Sequence, residues 1–290
     1  MPSISLLALC ACVAGAVDDS SSLRVAVLSE HHPSAWANKS CTDDSRGRIA
    51  CNLQVYEAAI AMAAQQNVSL LVMPEGYGLS VTHHATTDFF EPFVSVVGKA
   101  PSNSTSPQQF ALSAAAIRHG IAVVANIFVA LPNGTRLIAD VVYGPDGTCL
   151  ATYFKHHLFP TERTTFKAGP FHPTTFAFRG HTFGLVICYE GVYPEVTGDW
   201  SQFESLKKDG ADTILWSVGG EIPLGLVGGH IAKKMGMGVV ASEDRSSGAV
   251  LNSDGTSEEV HDVLLAVPGY TEAKLAIRVA TLAGRRGLRE

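Results

Sequence analysis

Short apolar runs rich in β-branched residues recur along the whole chain, each closed by glycine, proline or asparagine, and helical patterns stand between only some of them. Leu23 to Leu28, Ser69 to Met73, Ile121 to Ala130, Leu137 to Tyr143, Thr148 to Phe154, Phe171 to Arg179 and Thr182 to Cys188 read as strands. So do Ala211 to Ser217, Gly238 to Ser242, Gly248 to Leu251 and Val260 to Val267. Asn52 to Gln66, Ser104 to His119, Val192 to Lys208 and Pro223 to Met235 carry apolar residues at helical spacing. Asn52 is placed to cap the first of these, and Phe110, Ala114 and Ile117 form the expected inward face of the second. Some strands follow one another through tight turns, as at Gly144-Pro145-Asp146-Gly147, and others are separated by helices. That mixture belongs to an α/β protein with a mixed sheet or a pair of sheets. With 290 residues, 46% of them hydrophobic, and no internal repeat or low-complexity linker, the chain suits one large domain. We set its limits at residues 23–268, with a polar tail at 269–290.

The formal net charge is −6 and no basic patch stands out, which argues against nucleic acid or an anionic membrane as partner. Ile4 to Val13 is apolar, Ala14-Gly15-Ala16 is a small-x-small cleavage site, and Asp18 and Asp19 follow. Residues 1–16 therefore resemble a secretory signal peptide, and no later segment is long and apolar enough to serve as an anchor. Asn38-Lys-Ser, Asn67-Val-Ser, Asn103-Ser-Thr and Asn133-Gly-Thr are glycosylation sequons, which agrees with a secreted or secretory-pathway location.

Secretion makes the cysteines informative. Cys41 and Cys51 flank a polar loop and would close it as a disulfide worth about 2–3 kcal/mol. Cys149 and Cys188 remain, and in an oxidising compartment a bridge between them is open. No cysteine–histidine cluster has zinc spacing. The adjacent pairs His31-His32, His83-His84 and His156-His157 would point their rings to opposite sides of an extended segment, so no metal is expected. The glycines at 225, 228 and 229 lack the Lys-Ser/Thr of a phosphate loop, and no organic cofactor is expected either.

Three strand ends carry the chemistry. Ser69 to Met73 runs into Pro74-Glu75-Gly76, which leaves a lone carboxylate at a sharp turn. Thr148 to Phe154 runs into Lys155, an ammonium between Tyr153-Phe154 and Leu158-Phe159. Thr182 to Ile187 runs into Cys188, Tyr189 and Glu190, where α/β proteins place their ligands. Each has an ordinary reading: a solvated glutamate, a snorkelling lysine, a cysteine acting as a small core hydrophobe. Together they suit acyl transfer. A glutamate takes the thiol proton, an ammonium favours thiolate and stabilises the oxyanion, and the N–H after the cysteine assists. Tyr77, Tyr189, Trp216 and Glu221 flank these strands and are candidates to line an acyl pocket.

The same three stretches resemble the nitrilase, or carbon–nitrogen hydrolase, superfamily, whose members use a Glu-Lys-Cys triad. LLVMPEGYG resembles its glutamate motif at Glu75, YFKHHLFPTE its lysine motif at Lys155, and GLVICYEGVYPE its nucleophile motif at Cys188. Glu162 falls where the family has a second active-site glutamate, and Glu190 and Tyr189 follow the nucleophile as supporting residues. Long runs such as NLQVYEAAIAMAAQQNVSLLVMPE and YGPDGTCLATYFKHHLF look most like the secreted biotinidase/vanin branch. That branch carries an additional β-rich C-terminal domain, whereas this chain ends soon after its last expected strand. The resemblance implies an αββα sandwich, pairing of copies across a sheet face, and hydrolysis of a small linear amide. Pantetheine and biocytin are the branch substrates, and no metal or organic cofactor is implied. A different class, a secreted binding glycoprotein that keeps the fold without turnover, would be favoured by a Cys149–Cys188 bridge.

Overall fold

The computed structural model describes residues 22–29, 45–76, 90–101, 106–220, 222–244, 248–265 and 276–283. Within them the chain runs β1 (Ser22–Ser29), α1 (Ser45–Gln65), β2 (Leu70–Val72), β3 (Glu91–Pro92), α2 (Pro107–His119), β4 (Ala122–Ala130), β5 (Arg136–Tyr143) and β6 (Cys149–Phe154). A 3-10 turn at Glu162–Thr164 leads to β7 (Thr175–Phe178), β8 (His181–Ile187), α3 (Tyr189–Thr197), α4 (Ser201–Lys208) and β9 (Thr213–Val218). α5 (Leu224–Met235), β10 (Gly238–Glu243), β11 (Ala249–Leu251), β12 (His261–Leu264) and β13 (Ala276–Ala283) complete it.

The strands form two sheets. The larger has the order β12-β13-β1-β2-β4-β5-β6 with β3 beside β4, and the smaller β11-β10-β9-β8-β7. Parallel neighbours (β1–β2, β2–β4, β8–β9, β9–β10) sit at the centre of both, with antiparallel strands outside. Alternation then sorts the side chains into layers. In β4, Val123, Ala125, Ile127 and Val129 pack with Val55, Tyr56 and Ile60 of α1 and Leu112 and Ala116 of α2. Their neighbours Ala122, Val124 and Phe128 turn the other way, onto Leu185, Ile187, Leu215 and Val240 of the smaller sheet. That sheet buries Val186, Trp216 and Val239 beneath Phe203 of α4 and Ile231 and Ala232 of α5. The result is helix, sheet, sheet, helix: the αββα sandwich expected.

Several expectations need correction. α1 begins at Ser45, so Asn52 lies inside it, fully buried, rather than capping it. Phe110 and Ile117 of α2 are 36% and 53% exposed; the buried face carries Gln108, Gln109, Leu112, Ser113, Ala115 and Ala116. The glutamines are inward because Glu91 accepts the N–H groups of Gln108 (2.9 Å) and Gln109 (3.0 Å) at the helix start and the Gln109 side-chain amide (2.9 Å). A carboxylate there meets unsatisfied donors and the positive end of the helix dipole. The expected helix from Val192 to Lys208 is two helices, broken at Gly198, which takes φ 78° as the C-cap of α3. The fold also continues past residue 268: β13 pairs with β1 along all eight residues, from Ser22 opposite Ala283 to Ser29 opposite Ala276. None of the described helices is long and apolar enough to cross a membrane.

Candidate active site

The three strand ends meet. Glu75 follows β2, Lys155 follows β6 and Cys188 follows β8, and all three are buried. Lys155 Nζ donates to Glu75 Oε1 (2.6 Å) and to Glu162 Oε1 (2.7 Å). The Cys188 thiol donates to the Gly219 carbonyl (3.2 Å), and the Glu75 carboxyl acts on it electrostatically. Both Cys149 and Cys188 are free, and Cys149 instead donates to the Ala151 carbonyl (3.4 Å) within the helix-facing core.

The two sheets share the work of holding these groups. β9, in the smaller sheet, supplies the Val218 carbonyl to Glu75 N–H (3.2 Å) and the Ser217 carbonyl to Cys188 N–H (2.8 Å). Cys188 itself sits at φ 45°, ψ −110°, a conformation that a side chain rarely adopts, at the sharp turn from β8 into α3. Its carbonyl accepts Trp216 Nε1–H (2.9 Å). Trp216, expected near the substrate, is thus fully buried behind the turn among the α4 and α5 contacts. Strain of this kind is worth about 1–3 kcal/mol, partly offset by the roughly 0.5–1 kcal/mol of extra backbone entropy that glycine loses. Cys188→Gly is therefore expected to be more stable than Cys188→Ala by about 1 kcal/mol in urea unfolding. Equal midpoints would show that the turn is unstrained.

Gly191, one turn into α3, makes the close approach to Trp216 possible: a Cβ there would run into the indole ring. Gly191→Ala is expected to lose about 1–3 kcal/mol by overpacking. It should also slow the reaction of Cys188 with iodoacetamide, because the displaced indole releases the Cys188 carbonyl. Unchanged thiol reactivity would mean that the indole does not hold the turn.

Glu190 does not face the thiol. It is buried behind it, where Oε1 accepts Tyr153 O–H (2.6 Å), His156 N–H (2.8 Å) and His157 N–H (3.1 Å), and Oε2 accepts Ile187 N–H (2.9 Å). One carboxylate thus ties the segment after Lys155 to the strand that ends in Cys188. Gln202 of α4 supports it by donating to Tyr153 Oη (2.9 Å). Glu162 reaches in from the 3-10 turn and also accepts Phe159 N–H (2.7 Å). Tyr189 is half-buried, with its ring edge-on to Phe159 at 5.4 Å. It opens α3, where a first-turn N–H has no acceptor within the helix.

Electrostatics assign the resting protonation. Burial pushes the Glu75 carboxyl up to about 7; Lys155 opposes the rise and Glu162 adds to it. Burial also holds the Cys188 thiol well above its usual range, and the negative charge of Glu75 adds to that. Lys155 pulls the thiol the other way and does not win. The ammonium favours the thiolate, as the sequence led us to expect, but burial outweighs it and the thiol rests protonated. Burial works against the Lys155 charge, but Lys155 remains charged because the carboxylates Glu75 and Glu162 outweigh the loss of hydration.

Other expected sites are distributed as follows. His156 and His157 do not point apart: their rings meet edge-on with centroids 4.7 Å apart, because the chain has left the strand. His156 Nδ1 pairs with the Gly169 carbonyl and the His157 ring stacks on Tyr193. No group of three potential metal ligands comes together among the described residues. Asn67 and Asn133 are exposed. Cys51, on α1, is disulfide-bonded. Cys41, Asn38, Asn103, Tyr77, Glu221 and residues 1–16 lie outside the described residues, as do the pairs at 31–32 and 83–84.

The sequence reading passed over Asn126 and Asp140. Both are fully buried polar residues within otherwise apolar strands, VVANIFVA and LIADVVY. A polar side chain at an inward position of a buried run was the signal.

The family profile described as carbon-nitrogen hydrolase matches residues 45–202, more than half of the chain, and spans all three strand ends. The chain belongs to the carbon-nitrogen hydrolase family. It is 31% identical over 181 residues to an (R)-stereoselective amidase of a Pseudomonas species, covering 62% of this chain and 59% of that one. Over 222 residues it is 28% identical to a pantetheine hydrolase of Homo sapiens, covering 68% of this chain and 41% of that one. Over 213 residues it is 30% identical to a pantetheinase of Canis lupus familiaris, covering 65% and 40%. The chain thus spans between 40% and 59% of the length of these curated relatives. Among solved structures, it superposes on a variant of the amidase from Nesterenkonia sp. AN1 with a TM-score of 0.67 at 20% identity, over 93% of each chain. That structure shows the acetamide moiety of fluoroacetamide added covalently at the active-site cysteine. At this identity the likeness establishes the fold of the nitrilase superfamily.

Proposed function

We propose that the protein is a secreted thiol-dependent amidohydrolase that cleaves a small linear amide through an acyl-enzyme on Cys188, with a pantetheinase- or biotinidase-like substrate. The observation that carries this reading is the convergence of a free Cys188 thiol, Glu75 and a charged Lys155 in one buried site. Glu75 is the general base: it accepts the thiol proton as sulfur attacks the amide carbonyl. The oxyanion that forms is stabilised by the Lys155 ammonium and the Tyr189 N–H. Glu75 then gives its proton to the departing amine, and the C–N bond breaks to leave a thioester. Water attacks that thioester with Glu75 again as base, which releases the carboxylic acid and restores the thiol. A carboxyl held near 7 is matched to both duties at neutral pH. Glu162 holds Lys155, and Glu190 holds the lysine segment against the nucleophile turn.

The relatives named for pantetheine hydrolysis support the substrate class, and the exposed Asn67 and Asn133 sequons fit passage through the secretory pathway. The binding-protein alternative was tied to a Cys149–Cys188 bridge, and the free thiols speak against it. The test is amine release from pantetheine, biocytin and a short aliphatic amide by the secreted protein, with Cys188→Ala beside it. Release from one of the first two, absent in the variant, is expected. Release from the aliphatic amide alone would keep the mechanism and reject the substrate. No release, together with no iodoacetamide labelling of Cys188, would reject the mechanism.

A further inference from the structure

We propose that Asn126 and Asp140 are positioning residues for the general base: a buried amide–carboxyl pair that fixes the turn carrying Glu75 from within the layer between the sheets. The inference rests on the role given to Glu75 above and adds two residues to it. Asn126 and Asp140 stand opposite each other on β4 and β5. Their same-face neighbours Val124, Phe128, Ile138 and Val142 all belong to the inter-sheet core, so an amide and a carboxyl occupy its otherwise apolar middle. Burying such groups is unfavourable unless they are bonded; Asn126 Oδ1, Asn126 Nδ2 and Asp140 Oδ1 are, while Asp140 Oδ2 is not. Gly76 N–H donates to Asn126 Oδ1 (2.9 Å), and Asn126 Nδ2 donates to Asp140 Oδ1 (2.8 Å).

The order of donors gives the pair its function. An amide side chain is nearly symmetric in shape, and either end would fit beneath Gly76. Only the oxygen can accept the Gly76 N–H. Asp140 decides the matter by taking the NH2 end, so that the oxygen faces the turn. Gly76, next to Glu75, lies at φ 27° over the Phe128 ring, where a Cβ would collide with the ring. The turn is thus held by a ring against its Cα and by an oriented oxygen against its N–H. Glu75 has a third tie, its own N–H to the Val218 carbonyl (3.2 Å).

Asp140 also reaches the other sheet. Ser217 of β9 acts on the Asp140 carboxyl, although neither Ser217 Oγ nor Asp140 Oδ2 has a hydrogen-bond partner, and the carbonyl of that serine holds Cys188 N–H. The charged groups that act on Asp140 are Glu75 and Glu190, and burial with their charge pushes its carboxyl up to about 8 despite Asn126 and Ser217. Because Oδ1 accepts from Asn126 Nδ2, the proton that the raised carboxyl holds belongs on Oδ2, and Oδ1 orients the amide as an acceptor without adding a second full negative charge against Glu75.

The test exchanges the pair. Asp140→Asn keeps the size but offers either a donor or an acceptor to Asn126, so the orientation is lost. We expect kcat to fall about tenfold or more with KM within about twofold. The acid limb of kcat/KM and of Cys188 alkylation by iodoacetamide should move to higher pH, as Glu75 drifts from Lys155. The double variant Asn126→Asp/Asp140→Asn again presents an acceptor to Gly76 and a donor between the strands, and is expected to recover kcat and the pH midpoint. A packing role alone would make both variants track thermal stability, with no recovery by the exchange. Folded Asp140→Asn with wild-type kcat and midpoint would overturn the proposal, as would a folded exchange variant that stays impaired. Should Asp140→Asn fail to fold, the exchange variant against wild type decides alone. Glu75→Gln as control separates this from the reading it rests on: if it leaves the alkylation profile unchanged, Glu75 is not the base and the underlying mechanism fails instead.

Discussion

Lys155→Met is expected to remove turnover and to lower folding stability by about 3–5 kcal/mol at pH 8. The Lys155 side chain is fully buried between Glu75, 2% exposed, and Glu162, 19% exposed. Methionine fills a similar volume but leaves two carboxylates facing each other without the cation they share. Breaking a buried ion pair by removing one partner is far more damaging than replacing both. The effect should depend on pH, with a sign that follows from Glu75. Burial raises this carboxyl, and Lys155 is the chief influence that lowers it. Without the lysine it rises further above its unfolded value. Below about pH 4.5 it is then neutral in both folded and unfolded states, and no penalty arises from it. As pH climbs, the unfolded chain ionises first and stability is lost through the folded pKa. The gap between variant and wild type should therefore widen from pH 5 to pH 8 in guanidinium midpoints. On the proposed mechanism, kcat falls by about 10³ or more, since the loss of one oxyanion donor alone is worth about 10²–10³. A variant as stable as wild type at pH 8, or one that keeps a tenth of kcat, would refute the arrangement.

Glu75→Gln separates catalysis from stability. The amide cannot take the thiol proton, and the thiol, resting protonated, needs a base for every attack. A loss of about 10²–10⁴ in kcat is expected, with Cys188 alkylation slowed in parallel. Stability moves differently. In the wild type the raised Glu75 carboxyl is a group whose neutral form favours the fold, fully below about pH 4.5 and progressively less as pH passes about 7. Glutamine does not titrate, so this fall disappears. Between pH 5 and pH 8 the variant should gain stability relative to wild type, whichever is the more stable at pH 5. Asp140, raised to about 8, gives a fall of the same sign and remains in the variant. Parallel curves for variant and wild type across that range would show that Glu75 has an ordinary carboxyl.

The candidate site was legible from local signals because each of Glu75, Lys155 and Cys188 follows a short strand. Pro74 and Gly76 mark the exit at Glu75, and the break after Ile187 marks Cys188. Such strands are hard to mistake, and the position of a strand's end within a sheet needs no knowledge of its partners. What escaped notice depends on tertiary contacts. Gln108 and Gln109 face inward because Glu91, distant in sequence, meets them; hydrophobicity alone pointed to Phe110 and Ile117. Asn126 and Asp140 explain each other only once β4 and β5 are in register. The resting state of Cys188 depended on how deeply the thiol is buried, a magnitude that composition and spacing do not carry. Ala276 to Ala283 alternates weakly, with arginine and threonine among small apolar residues, and its identity as a strand comes from β1 and β12 on either side.

That last strand bears on synthesis. β1 leaves the ribosome well before its partner: the strand that covers its outer edge is made some two hundred and more residues later. At about 5–20 residues per second, β1 waits tens of seconds with one row of backbone groups unpaired. Leu23, Val25, Ala26, Val27 and Leu28 all become buried in the finished protein, so the waiting strand is apolar on both faces. A nascent chain of this kind offers a sticky edge to its neighbours on the same message, and its safe production depends on whatever shields that edge until residue 283 has emerged.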